Sequence, residues 1–102
     1  MQLAREVYQS TASMPTEERF DLTSQMRRSA VSIPSNIAEG HARQSRPDYL
    51  KFLRIARGSL AELSTQMELA QSLSMIQNPA FQLLEETDRV LQGLIRSLEK
   101  MQ

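Results

Sequence analysis

The chain has one histidine, His41, and no cysteine among its 102 residues. Thiolate chemistry, disulfides and Cys–His pairings for zinc or for an activated nucleophile are therefore outside its reach. A ferritin-like di-metal bundle uses Glu-x-x-His motifs with further inward glutamates. Here the residue three before His41 is Ala38, so that motif is missing. No glycine-rich phosphate loop is present either. The sequence predicts a protein that is not an enzyme and holds no metal and no cofactor.

Two polar groupings remain. Arg43, Arg46, Lys51, Arg54 and Arg57 stand against a single acid, Asp48, in residues 41–57, a net charge of +4. Residues 1–40 carry −1 and residues 58–102 carry −3, so the chain as a whole is neutral. Neutrality argues against a strong nonspecific polyanion binder, but a local basic segment leaves room for a targeted one. Arginine suits phosphate because its planar fork binds two oxygens and also stacks on bases. Tyr49 and Phe52 offer a stacking face, although both fit a core position better. The alternative is a solvated basic face, or salt bridges between subunits.

The second grouping is Arg28, Ser32, Asn36, Glu39 and Arg43, spaced four, four, three and four residues apart along one helix face. Glu39 and Arg43 stand at i and i+4 and can pair. Ser32 and Asn36 are placed to satisfy backbone groups that Pro34 frees. The stripe reads as a solvated face tied to a neighbouring helix, with a polar binding surface as the alternative.

Four helices are expected to carry these residues. The first covers 2–13, with Leu3, Val7, Thr11 and Met14 on one side and Tyr8 alongside. Pro15, Glu17 and Glu18 then mark a helix start, since carboxylates favour the positive end of the helix dipole. The second helix covers 16–42 with Leu22, Met26, Ala30, Ile33 and Ile37 as its apolar stripe. Pro34 lies inside it, which predicts a kink there, with a break at Pro34 as the alternative. Gly40 weakens its far end. Ser45, Pro47 and Asp48 make a cap and first turn for the third helix, which runs to Ser74. Tyr49, Leu53, Ala56, Leu60, Leu63, Met67 and Ala70 alternate steps of four and three without a miss, the 3.5-residue seam of bundle packing. Phe52 and Ile55 widen that stripe at its start.

Asn78 and Pro79 open the fourth helix as cap and first residue. It carries two stripes: Phe81, Leu84, Leu91, Ile95 and Leu98, and Leu83, Val90, Leu94 and Met101. That is more apolar circumference than a one-sided bundle helix needs, so a wide core face or a contact with another subunit is implied. The mid-helix pair Gly58-Ser59 costs helix propensity and leaves room for a helix to approach closely. Short connections make successive helices antiparallel neighbours. The fold expected is a single all-α domain over residues 1–102, an antiparallel up-and-down four-helix bundle. No apolar run approaches the ~20 residues of a membrane span, and Met1–Glu6 lacks the layout of a signal peptide. A cytoplasmic protein with no membrane contact is expected.

Residues 25–40, QMRRSAVSIPSNIAEG, and 49–63, YLKFLRIARGSLAEL, resemble a known family. It comprises the bacterial four-helix-bundle proteins encoded in intervening sequences of large-subunit ribosomal RNA genes. The accessory protein of diversity-generating retroelements is a relative. The likeness extends from about Ala4 to Lys100. It implies a four-helix bundle assembled as a homopentameric ring. The retroelement relative binds nucleic acid and a reverse transcriptase through a basic surface. Carried over residue by residue, Arg27, Arg28, Arg43, Arg54 and Arg57 become candidates for nucleic-acid or intersubunit contact, beside Arg46 and Lys51 from the basic segment. Two functions follow as expectations. One is a non-enzymatic oligomeric scaffold that binds structured RNA or DNA. The other is a protein–protein adapter with no nucleic-acid role.

Overall fold

A computed structural model describes residues 2–12, 19–76 and 80–101. Met14, Pro15, Glu17, Glu18, Asn78 and Pro79, which carried expectations above, lie outside the described residues. The chain is all-α: α1 spans Gln2–Thr11, α2 Ser24–Ala42, α3 Arg46–Ser72 and α4 Phe81–Lys100. The described residues contain no strand.

Where the second expected helix is described ahead of Ser24, at Arg19–Thr23, it is not α-helical. Arg19–Thr23 forms one π-helical turn that runs straight into α2. Thr23 sits in the right-handed helical region (φ −60, ψ −45) and its side chain makes no capping bond. The helix entering from the π turn leaves no abrupt end at that point for a side chain to cap. Further along, α2 is continuous through Pro34, so the break at Pro34 does not occur.

The start of α3 follows the sequence signals. Ser45 is extended (φ −132, ψ 134) and its side chain accepts from the Asp48 N–H, with Pro47 in the first turn. The C-terminal ends of α2 and α3 turn through left-handed residues that are not glycine, Gln44 (φ 59) and Ser74 (φ 57). At the end of α3 the Met75 N–H donates to the Ala70 carbonyl and the Ser74 N–H to the Gln71 carbonyl, both at 2.9 Å. That is a Schellman motif with serine where glycine is favoured. Ser74→Gly is therefore expected to raise stability by about 0.5–1 kcal/mol, read as a higher urea midpoint with unchanged helix content.

The predicted seam of α3 is the spine of the core. Leu53, Ala56, Leu60, Leu63, Met67 and Ala70 are all buried, and Tyr49 is half-buried against them. From α2 come Leu22 at its entry, Met26, Ala30 and Ile33, with Ile37 packed at the edge. From α1 come Leu3, Val7 and Thr11, and from α4 Leu84, Leu91 and Ile95. Each fully buried aliphatic side chain contributes about 1.5–3 kcal/mol relative to exposure. The second stripe of α4 divides. Leu83 and Leu94 pack on the core, whereas Val90 is 69% exposed and Met101 55% exposed.

Contacts fix how the helices meet. Gly40 of α2 lies against Phe52 and Tyr49 of α3, and the Ser32 and Ser59 hydroxyls bond at 2.8 Å. Rising numbers on α2 meet falling numbers on α3, as in two helices folded back across the turn. Gly40 is thus no mere weak helix end. It is buried at a close crossing. By contrast α4 packs less extensively on α3 than α2 does. The molecule is elongated, 49 × 22 × 18 Å.

Candidate functional site

The seven basic residues fall into three places. Arg43, Arg46 and Lys51 cluster about the α2–α3 turn. All three are exposed. Arg43 pairs with Glu39 at 3.0 Å, one helical turn back, as their spacing predicts. The Arg43 guanidinium also lies 5.3 Å from the centre of the half-buried Phe52 ring, and the Lys51 ammonium 5.9 Å from it. Phe52 thus packs at the core's edge while its ring sits beneath two cations. His41 packs edge-on to Tyr49 with ring centres 5.7 Å apart, a structural contact at the same end.

Arg54 and Arg57 lie one and two turns further along α3 and face α4. Arg54 pairs with Glu99 at 2.7 Å and Arg57 Nε with Asp88 at 3.0 Å. Asp88 also accepts from Gln92 at 2.6 Å. These pairs are half exposed, and such ion pairs contribute about 0–1 kcal/mol each. Their consequence for recognition is larger, because two of the strongest phosphate candidates already face carboxylates. They also border an open groove of about 1080 Å³ between α3 and α4. Gly58 and Ala61 line its α3 side, and a side chain placed on Gly58 would meet nothing within 4 Å. The close helix approach expected at Gly58 therefore has no partner among the described residues, while Ser59 does meet α2 through Ser32.

Arg27 and Arg28 stand apart from both groups, beside α1. Arg27 Nε donates to Thr11 Oγ1 at 3.0 Å, and Nη2 to the Tyr8 carbonyl at 3.4 Å. Its guanidinium lies 4.5 Å from the centre of the Tyr8 ring. Thr11, fully buried, in turn donates to the Val7 carbonyl at 2.8 Å. Arg27 thus ties α1 to α2. Arg28 is exposed and makes one long bond, 3.4 Å, to the Ser24 hydroxyl. No described carboxylate lies within ion-pair distance of Arg27, Arg28, Arg46 or Lys51.

The polar stripe serves the α2–α3 contact. Asn36 Nδ2 donates to the Ser32 carbonyl at 2.8 Å and to Ser32 Oγ at 2.9 Å, and Ser32 bonds across to Ser59. The carbonyl that Pro34 deprives of its usual partner is that of Ala30, two residues before the one Asn36 reaches. Asn36 therefore orients Ser32 for the crossing. Glu39 is exposed and engaged with Arg43. Among the described residues no three His, Asp or Glu side chains gather to hold a metal ion, and no helix is long and apolar enough to cross a membrane.

The sequence pattern did not reveal two features: the α3–α4 groove and the Tyr8–Arg27–Thr11 arrangement. A threonine within an apolar stripe was the one local signal for the second. The family model for 23S rRNA-intervening sequence proteins matches residues 1–97. The chain belongs to that family. Among curated proteins the chain finds no match. The family match embraces all four helices and every cation above, with only the end of α4 beyond it. The 23S rRNA-intervening sequence family thus has here a helical body with three separate basic places, only some of them already neutralised.

Proposed function

We propose that this chain is a non-enzymatic cytoplasmic scaffold that assembles with copies of itself and binds structured RNA or DNA through the cations that no described carboxylate pairs. The observation that carries the reading is the open α3–α4 groove. A mid-helix glycine costs about 1 kcal/mol of helix propensity, and Gly58 has no neighbour among the described residues to justify that cost. A helix of a second copy, ~10 Å across with its side chains, meets small residues there. The assembly that the sequence resemblance implies is a homopentamer. Repetition would bring several copies of Arg27, Arg28, Arg46 and Lys51 to one ligand, so weak contacts would act together.

Light scattering tests the assembly and anisotropy of a labelled structured RNA tests the binding. The expected mass is a multiple of the 11.6 kDa chain, and Gly58→Trp is expected to lower it with helix content retained. RNA affinity should fall steeply with added salt, because each phosphate contact releases counterions. A chain that stays monomeric, or an assembly that ignores RNA at low salt and micromolar protein, overturns the corresponding half of the proposal.

The adapter reading keeps one observation of its own. Leu69 on the last turn of α3 and Leu73 at its C-cap, four residues apart, are 50% and 54% exposed, an apolar pair suited to a protein partner. It predicts a protein complex that depends on those leucines and little on salt.

A further inference from the structure

A second cavity, of about 550 Å³, lies between α1 and the start of α2 and is lined by Tyr8, Thr23, Ser24, Arg27, Arg28 and Val31. Two consecutive arginines open onto it, and no described carboxylate lies within ion-pair distance of either. Elsewhere Arg43, Arg54 and Arg57 each have such a partner. An anion in the cleft would therefore meet two cations that no described carboxylate neutralises. Arg27 is already fixed by Thr11, by the Tyr8 carbonyl and by the Tyr8 ring. Little further side-chain freedom is lost when it binds, which favours affinity. Ser24 accepts from Arg28, so its own hydroxyl hydrogen is directed elsewhere and can be given to an anion. At the rim, Tyr8 and Val31 are 44% and 43% exposed, an apolar wall beside the cations.

We infer that this cleft is a phosphate site that takes the phosphate of a nucleotide unit, with Arg27 and Arg28 on its oxygens, Ser24 donating to it, and Tyr8 and Val31 against the sugar or base. The inference rests on the nucleic-acid reading above and locates it. The cleft shares no lining residue with the α3–α4 groove, so phosphate binding and assembly are separable.

The test uses the full chain labelled with ¹⁵N, titrated separately with inorganic phosphate, a nucleoside monophosphate and a short RNA. The arginine Nε–H signals of Arg27 and Arg28 and the amide of Ser24 report occupation. Those three are expected to shift together with all three probes, more strongly with the nucleotide than with phosphate. Arg28→Gln, at an exposed position, is expected to weaken RNA binding about ten-fold, the loss of one charge-assisted contact. Arg54→Ala with Arg57→Ala should weaken it far less. If RNA binds while the three signals stay still and Arg28→Gln binds as the wild type does, the cleft is not the site and the nucleic-acid reading stands without it. If phosphate and nucleotide move the three signals but RNA does not bind, the site stands with free phosphates as its source, and nucleic-acid binding falls. If no probe binds, both are overturned.

Discussion

Gly40→Ala is expected to destabilise the chain by about 1–2 kcal/mol, whereas Gly58→Ala is expected to stabilise the unassembled chain, at protein concentrations too low for association, by about 0.5–1 kcal/mol. Alanine improves helix propensity at either position by about 1 kcal/mol, so propensity alone gives both variants the same sign. The surroundings separate them. A Cβ on Gly40 would stand 2.7 Å from the Phe52 Cβ, 3.1 Å from Tyr49 Cδ1 and 3.3 Å from the Tyr49 carbonyl oxygen. The Phe52 Cβ is bonded directly to the α3 backbone and cannot swing aside. Relief requires α2 and α3 to separate next to their turn, and with a backbone-fixed atom at 2.7 Å the overpacking falls at about 2–3 kcal/mol, the upper part of the typical range, more than the propensity gain. At Gly58 the new methyl enters open space, so the gain stands alone. Urea unfolding of both variants checks the pair. A Gly40→Ala protein as stable as the wild type would falsify the close crossing. A Gly58→Ala protein whose stability deficit against the wild type widens as the protein is concentrated would show a second subunit seated in the groove.

Both glycines were visible as helix-weakening residues, and nothing local told them apart. The packing partner of Gly40 lies on the next helix, and Gly58 has none among the described residues. The same limit governs the charges. Arg43 and Glu39 are four residues apart and their pairing was legible from spacing. Arg54 meets Glu99 across 45 residues and Arg57 meets Asp88 across 31, so the basic segment read as more available than it is. The seam of α3 was fully legible, since one helix buried along its length must repeat its apolar residues at the period of bundle packing. The π-helical turn at Arg19–Thr23 was not, because Leu22 continues the apolar stripe across it and period alone does not distinguish a π turn from an α turn. On α4 the wide apolar face had two readings, and Val90 at 69% exposure shows that part of it does not pack within the chain.

Two leucines on α3 give the sharpest separation of the chain's own core from any surface used between chains. Leu63 is fully buried among the core residues, and Leu69, six residues later on the same helix, is 50% exposed. Leu63→Ala is expected to cost about 3 kcal/mol, within the 2–5 kcal/mol typical of a buried leucine that leaves a cavity. Leu69→Ala should stay within about 0.5 kcal/mol, as surface substitutions do. The measurement is denaturant unfolding followed by circular dichroism at two protein concentrations well apart. A large loss for Leu63→Ala that is the same at both concentrations locates Leu63 in the chain's own core. A neutral Leu63→Ala would contradict the face that α3 turns inward. A Leu69→Ala loss above 1 kcal/mol that grows as the protein is concentrated would mean that Leu69 is covered in the assembly. Because subunit association stabilises by mass action and intramolecular packing does not, the concentration series assigns each leucine to one role without a structure of the assembled form.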